Sequence, residues 1–168
     1  MEFIKAKEEH VGKIMEIIAS AQAFLKSNGV VQWQNGYPTT EKILQDIANG
    51  YGHIACENGE ILGYFVMFVG YEPDYFEGCF LNADGAWKTD FEYAVVHRVA
   101  VGVKGKGLGS AIFDYAMQTA KQNGAKAMRI DTHRHNIPMQ TVLKKHGFEY
   151  CGIINVSEGE RFAFEVVL

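Results

Sequence analysis

His97-Arg98-Val99-Ala100-Val101-Gly102-Val103-Lys104-Gly105-Lys106-Gly107-Leu108-Gly109-Ser110 carries an apolar run into a loop of glycines and lysines that opens a helical pattern. Glycine lets the backbone approach a ligand closely, and the unpaired N–H groups of a helix start, with its positive dipole end, favour an anion. Each charge-assisted hydrogen bond there is worth ~1.5–3 kcal/mol, so a few of them suffice to hold a pyrophosphate. Lys104 and Lys106 add positive charge. A plain strand–helix turn would need neither so many glycines nor the lysines. Two familiar phosphate loops fail on spacing. A Walker A loop requires Gly-Lys-Ser/Thr at its end, whereas Gly107 is followed by Leu108-Gly109; a dinucleotide fingerprint requires glycine where Ser110 stands.

Outward from this loop, Tyr93 to Val103 is rich in β-formers, and Ile112, Phe113, Ala116 and Ala120 recur on one face of a helix from about Gly109 to Gln122. Ala127 to Thr132 is the next strand, and Asn136 caps a helix from Ile137 or Pro138 to His146. Phe148 to Val156 and Arg161 to Val167 form a closing hairpin across Ser157-Glu158-Gly159-Glu160. On the N-terminal side, a short strand at Phe3–Ala6 precedes a helix over about Glu9–Leu25. Residues 30 to 38 form a loop, and a second helix capped by Thr39 or Thr40 runs to Asn49. Strands Tyr51–Glu57 and Glu60–Tyr71 flank Asn58-Gly59, which suits a type I′ turn because both positions tolerate positive φ. Residues 72 to 91 break the pattern, and a loop of that length in a compact domain is more often functional than slack.

In this order the chain resembles the GCN5-related N-acetyltransferase (GNAT) family. Its acetyl-CoA motif, Arg/Gln-x-x-Gly-x-Gly/Ala after a strand and before a helix, is matched by Lys104-Gly105-Lys106-Gly107-Leu108-Gly109, with lysine in the first place. Asn136 and the Lys145-His146-Gly147-Phe148 segment match the family's Asn…Gly-Phe helix, so the resemblance covers nearly the whole chain. It implies one α/β (α+β) domain over residues 1–168, with a mixed, mostly antiparallel sheet, flanking helices and a splayed central strand pair. It also implies that acetyl-CoA is the cosubstrate. Backbone groups of Val99, Ala100 and Val101 would pair with the pantetheine arm. Lys104, Gly105, Lys106, Gly107, Leu108, Gly109 and Ser110 would cradle the pyrophosphate. Asn136 would bond the pantetheine, and Lys145 would reach the 3′-phosphate. Family members often place a tyrosine four residues before the Gly-Phe to protonate the leaving thiolate; Leu143 stands there. The link Gly102-Val103 is about two residues shorter than in many members.

Attack on a thioester requires a neutral amine, and deprotonating one of pKa ~10.4 at pH ~7.4 costs ~4 kcal/mol. A positioned base offsets part of that. Tyr93, Val95, His97 and Val99 share a face by strand alternation, and His97 lies where some family members carry a base histidine. It is the provisional base, weighed against a hydrogen-bonded core histidine. His133 and His135 follow the next strand and are held in reserve; as a metal pair they lack a third ligand at a recognisable spacing. Trp33, Tyr37, Trp87 and Tyr93 are candidates for the wall of an acceptor pocket, set against simple anchoring of loops.

Composition narrows the partners. Of 168 residues, 16 are Lys or Arg and 20 Asp or Glu, a net charge of −4, with 48% hydrophobic and 21% charged residues. Such a chain is expected to be globular and is too acidic to be a general nucleic-acid binder. No apolar run reaches ~18 residues, the N-terminus has no signal-peptide pattern, and three cysteines without C-x-x-C spacing favour the cytoplasm. Cys151 on a strand reads as packing rather than as a nucleophile. The expected partner is a small-molecule or peptide amine, not nucleic acid or membrane, with the chain a monomer or homodimer. A non-catalytic CoA-binding sensor is the alternative, encouraged by Leu143.

Overall fold

The computed structural model describes residues 1–103 and 105–168. In chain order the elements are β1 (Glu2–Lys5), α1 (Val11–Ser27), α2 (Thr40–Ala48), β2 (Gly52–Glu57), β3 (Glu60–Val69), β4 (Tyr93–Val101), α3 (Leu108–Gln122), β5 (Ala127–Thr132), α4 (Ile137–Lys145), β6 (Glu149–Val156) and β7 (Gly159–Val167). The hydrogen-bonded strand order is β1-β2-β3-β4-β5-β7-β6. The pairings β1–β2, β2–β3, β5–β7 and β6–β7 are antiparallel and β4–β5 is parallel, as a strand–helix–strand crossover requires. This is the mixed, mostly antiparallel α/β architecture expected from the resemblance.

Local chemistry sets most boundaries. Thr39 Oγ1 accepts from Lys42 N at 3.2 Å, so Thr39 caps α2. Asn136 Oδ1 accepts from Met139 N at 3.3 Å, so Asn136 caps α4. Asn58 and Gly59 take φ of 52° and 79°, the two positive values a type I′ turn needs. One boundary differs: the last hairpin turns on Ser157 and Glu158, and β7 already begins at Gly159. The loop expected to reach Glu160 is shorter because Asn155↔Glu160 and Val156↔Gly159 are themselves ladder pairs.

The chain divides into two compact units, Met1–Met67 with His97–Tyr115 and Phe68–Val96 with Ala116–Leu168. In the first, Ile14, Ile18, Ile43, Ile54, Phe65, Ile112 and Phe113 are fully buried. His53 stacks on Phe65, ring centroids 5.1 Å apart, and holds its Nδ1 2.8 Å from Tyr51 O. In the second, Tyr75, Cys79, Val95, Cys151, Ile154 and Ala163 form one apolar cluster. The face of α3 read from periodicity (Ile112, Phe113, Ala116, Ala120) is wholly buried.

Residues 72 to 91 are not slack. Leu81 N donates to Ile153 O at 2.7 Å and Ala86 N to Cys151 O at 3.0 Å, so this segment covers the outer edge of β6. It approaches so closely that a Cβ on Gly152 would lie 2.9 Å from the Gly85 Cα. Further along, the buried Glu165 carboxylate accepts from Thr89 N at 3.1 Å, Thr89 Oγ1 at 2.9 Å and Arg129 Nε at 3.0 Å. Arg129 in turn donates to Thr89 O at 2.7 Å.

Candidate functional site

In the first unit, β4 ends where Gly102 N donates to Leu62 O at 2.8 Å. The glycines around this point do different work. Gly102 lies close to α1 and β3, because a Cβ there would meet Ile17 Cγ1 and Leu62 O at 3.3 Å. Gly63 is likewise tight, with Ala100 O at 3.2 Å and Leu108 Cδ2 at 3.3 Å from its added Cβ. Gly105 and Gly107 take φ of 78° and 70° with nothing within 4 Å of an added Cβ. Their backbone is thus left-handed beside open space, the geometry of a loop that presents N–H groups outward. Leu108 anchors the start of α3 at 2% exposure, and Ala111 N, bonded to Gly107 O at 3.0 Å, closes its first turn. The N–H groups ahead of that turn have no partner within the helix ladder. Lys106 is exposed at this end; Lys104 lies outside the described residues.

Val99 and Val101 are half-buried and Ala100 is buried. Its ladder with β5 comprises Tyr93↔Ala127, Ala94↔Met128 and Val95↔Arg129. His97 is half-buried. The next residue, Arg98, has φ of 51°, a left-handed residue inside a strand. The pleat is broken there, so the alternation that put His97 and Val99 on one face does not carry across Arg98.

Arg98 was not among the residues singled out from the sequence. Its Nε and Nη2 donate to the two carboxylate oxygens of Asp46 at 2.7 and 2.8 Å, and its Nη1 donates to the Tyr37 hydroxyl at 2.7 Å. Asp46 is 2% exposed and also accepts from Tyr64 OH at 3.3 Å. Burial works against the Arg98 charge, but Tyr37 and Asp46 outweigh it and hold the guanidinium pKa above its ordinary value. Burial and the Asp46 charge push the Tyr64 phenol the same way, well above its usual range. One signal was legible in advance: Asp46 lies three residues after the buried Ile43, on the apolar face of α2. Trp33, the other candidate in this unit, is buried and itself has φ of 65°.

In the second unit, Trp87 and Tyr93 flank the Arg129 guanidinium, whose carbon lies 4.4 and 4.0 Å from their ring centroids. Trp87 Nε1 donates to Tyr75 O at 3.2 Å and Tyr93 OH accepts from Glu72 N at 3.2 Å, so both polar ends tie down residues 72 to 91. His133 and His135 have ring centroids 5.3 Å apart, and His133 Nδ1 accepts from His135 N at 3.2 Å. Burial, then the charges of Arg161, His135 and Arg134, lower the His133 pKa. Among the described residues no group of three His, Cys, Asp or Glu is placed to hold a metal. Lys145 is exposed near the end of α4, and Leu143 is fully buried. Burial, followed by the Glu165 charge, pushes the Cys151 thiol up to about 11, so it is a poor nucleophile. Among the described residues no helix is long and apolar enough to cross a membrane.

A family model described as the acetyltransferase (GNAT) family matches residues 19–148. No curated protein matches the chain. Among solved structures, a GNAT-family acetyltransferase from Streptococcus agalactiae is similar at 30% identity and TM-score 0.85, covering 99% of this chain and 95% of that one. A ribosomal-protein-alanine N-acetyltransferase from Brucella melitensis is similar at 17% identity and TM-score 0.71, with 100% of both chains covered. A PaiA N-acetyltransferase from Thermoplasma acidophilum, solved in complex with coenzyme A, is similar at 15% identity and TM-score 0.71, with 99% and 98% covered. The last two similarities concern the fold.

Proposed function

Because this chain belongs to the acetyltransferase (GNAT) family, whose members use acetyl-CoA, we propose that it transfers an acetyl group from acetyl-CoA to the primary amine of a small molecule or peptide. The observation that carries this reading is the pair Gly105 and Gly107, left-handed and facing open space ahead of the α3 N-terminus. A pyrophosphate fits such a loop, since it needs several outward N–H donors and no intervening side chain. Residues 105 to 110 hold that anion, with the side chains of Lys106 and Lys104 adding charge. Val99, Ala100 and Val101, past the β4–β5 ladder, offer backbone groups to the pantetheine arm. Asn136 bonds the arm while capping α4, and Lys145 reaches the 3′-phosphate.

When bound, acetyl-CoA supplies an acyl carbon activated as a thioester. His97 takes the proton from the acceptor ammonium, directly or through water, so that a neutral nitrogen faces that carbon. His133 and His135 are the reserve for this task. The candidates for acceptor contact are Trp33 and Tyr37 in the first unit and Trp87 and Tyr93 in the second. Leu143 has no proton to give, so the CoA thiolate departs without a proton donor at that position.

Composition supports a cytoplasmic setting, and the chain works as a monomer or homodimer. A second reading, a CoA-binding sensor without turnover, is favoured by the aliphatic Leu143. Thermal denaturation with CoA, followed by thiol release from acetyl-CoA across a panel of amines, tests both. Stabilisation with amine-dependent thiol release is expected. Stabilisation without release would support the sensor, and no stabilisation at millimolar CoA would overturn both.

A further inference from the structure

The described residues include three non-glycine positions with positive φ: Trp33, Asn58 and Arg98. Asn58 is accounted for by its hairpin turn. The other two belong to segments joined by one hydrogen-bonded chain. Asp46 on α2 grips Arg98 through both carboxylate oxygens, and Arg98 reaches the hydroxyl of Tyr37, four residues after Trp33. A left-handed non-glycine residue persists only where its surroundings over-determine it. At Arg98 they do: three donor contacts between 2.7 and 2.8 Å come from one planar guanidinium. Asp46 itself is braced by Tyr64 OH and by Lys42 Nζ at 3.7 Å. Tyr37 is braced on its backbone side, where its carbonyl accepts from Gln22 Nε2 at 2.9 Å.

The position of this chain matters. Arg98 separates His97, the proposed base, from Val99, where the proposed cofactor contacts begin. Tyr37 and Trp33 lie on the loop between α1 and α2 that the same reading assigns to the acceptor. We propose that Arg98 is a positioning residue which, held by Asp46, uses the Tyr37 hydroxyl to fasten the loop at residues 30 to 38 to the kink of β4 beside His97, so that acceptor affinity depends on this link. The inference rests on the acetyltransferase reading. It adds that the Tyr37 hydroxyl acts through Arg98 rather than by its own contact with the acceptor.

That distinction is measurable in a double-mutant cycle with Tyr37→Phe, Arg98→Lys and the pair together. Phenylalanine removes the hydroxyl alone. Lysine keeps the charge but cannot engage Asp46 and Tyr37 in one plane. Each single variant is expected to raise the acceptor KM about tenfold, the order set by losing one hydrogen bond to a charged group. kcat is expected to change less than KM, and the dissociation constant for CoA, measured separately by calorimetry, to stay within about twofold. The double variant should be no worse than the worse single one, because both changes cut the same link. Amide hydrogen exchange should quicken in residues 30 to 38 in all three variants.

Effects that multiply in the double variant would mean that the Tyr37 hydroxyl meets the acceptor directly, and would overturn the inference. So would a Tyr37→Phe enzyme with wild-type KM and wild-type exchange, a measurement that holds even if Arg98→Lys fails to fold. A parallel loss of CoA affinity would mark a general structural role and would overturn it as well. Wild-type protein that neither binds CoA nor releases it from acetyl-CoA would instead bring down the acetyltransferase reading, and this inference with it.

Discussion

Replacing Glu165 with leucine should unfasten the end of the 72–91 segment from the sheet. The Glu165 side chain is fully buried and Arg129 is 6% exposed. One carboxylate serves Arg129 Nε, the Thr89 hydroxyl and the amides of Lys88 and Thr89. Removing one partner of a buried pair costs about 3–5 kcal/mol, mostly because the other charge is stranded. Here the low end applies, since Arg129 keeps its bond to Thr89 O and its place between the Trp87 and Tyr93 rings. About 3 kcal/mol in a domain of this size lowers Tm by about 6–12 °C. Differential scanning calorimetry would read that shift, and amide exchange should quicken first at residues 86 to 91. Arg129→Met combined with Glu165→Leu should recover much of the loss, because no charge is then left unpaired. A Tm within about 2 °C of wild type in the single variant, or a double variant worse than the single, would contradict this role for Glu165.

His53 should make the protein less stable in acid. Burial first, and then the nearby Lys5 charge, lower its pKa from 6.5 to about 4 despite the bond to Tyr51 O. Because the folded value lies below the unfolded one, the contribution is complete above pH 6.5 and is lost as pH falls from 6.5 towards 4. It amounts to about 2 kcal/mol after allowance for solvent screening. Urea titrations from pH 7.5 to 4 should show a shallower decline in His53→Phe; equal slopes would contradict this. For the base, His97→Ala is expected to lower kcat/KM by about 10²-fold with CoA affinity retained. Unchanged steady-state kinetics would make His97 structural.

Features encoded over a few neighbouring residues were legible in the sequence. The Asn58-Gly59 turn, the Thr39 and Asn136 caps, the buried face of α3 and the glycine loop each depend on local backbone chemistry. What escaped it depends on pairs far apart in the chain. Arg98 meets Asp46 across 52 positions and Arg129 meets Glu165 across 36. A charged residue in a strand can face water or a buried partner, and periodicity does not distinguish them. The same limit applied to Trp87 and Tyr93. Their aromatic character was plain, but the use of their polar ends to anchor residues 72 to 91 came only with Tyr75 and Glu72 in place. Strand alternation does not carry from His97 across Arg98 for a related reason: a left-handed non-glycine residue inside a strand leaves no composition signal.

The central claim, acetyl transfer from a cofactor held by the glycine loop, is tested most directly by thiol release from acetyl-CoA in the presence of amines, wild type beside Gly107→Glu. Gly107 has a φ of 70°, so glutamate there is strained and sets a negative charge where the pyrophosphate should sit. The account predicts amine-dependent release by the wild type and its loss in a folded Gly107→Glu variant, together with loss of CoA binding. Equal release by both proteins, or none by the wild type with any amine, would contradict it.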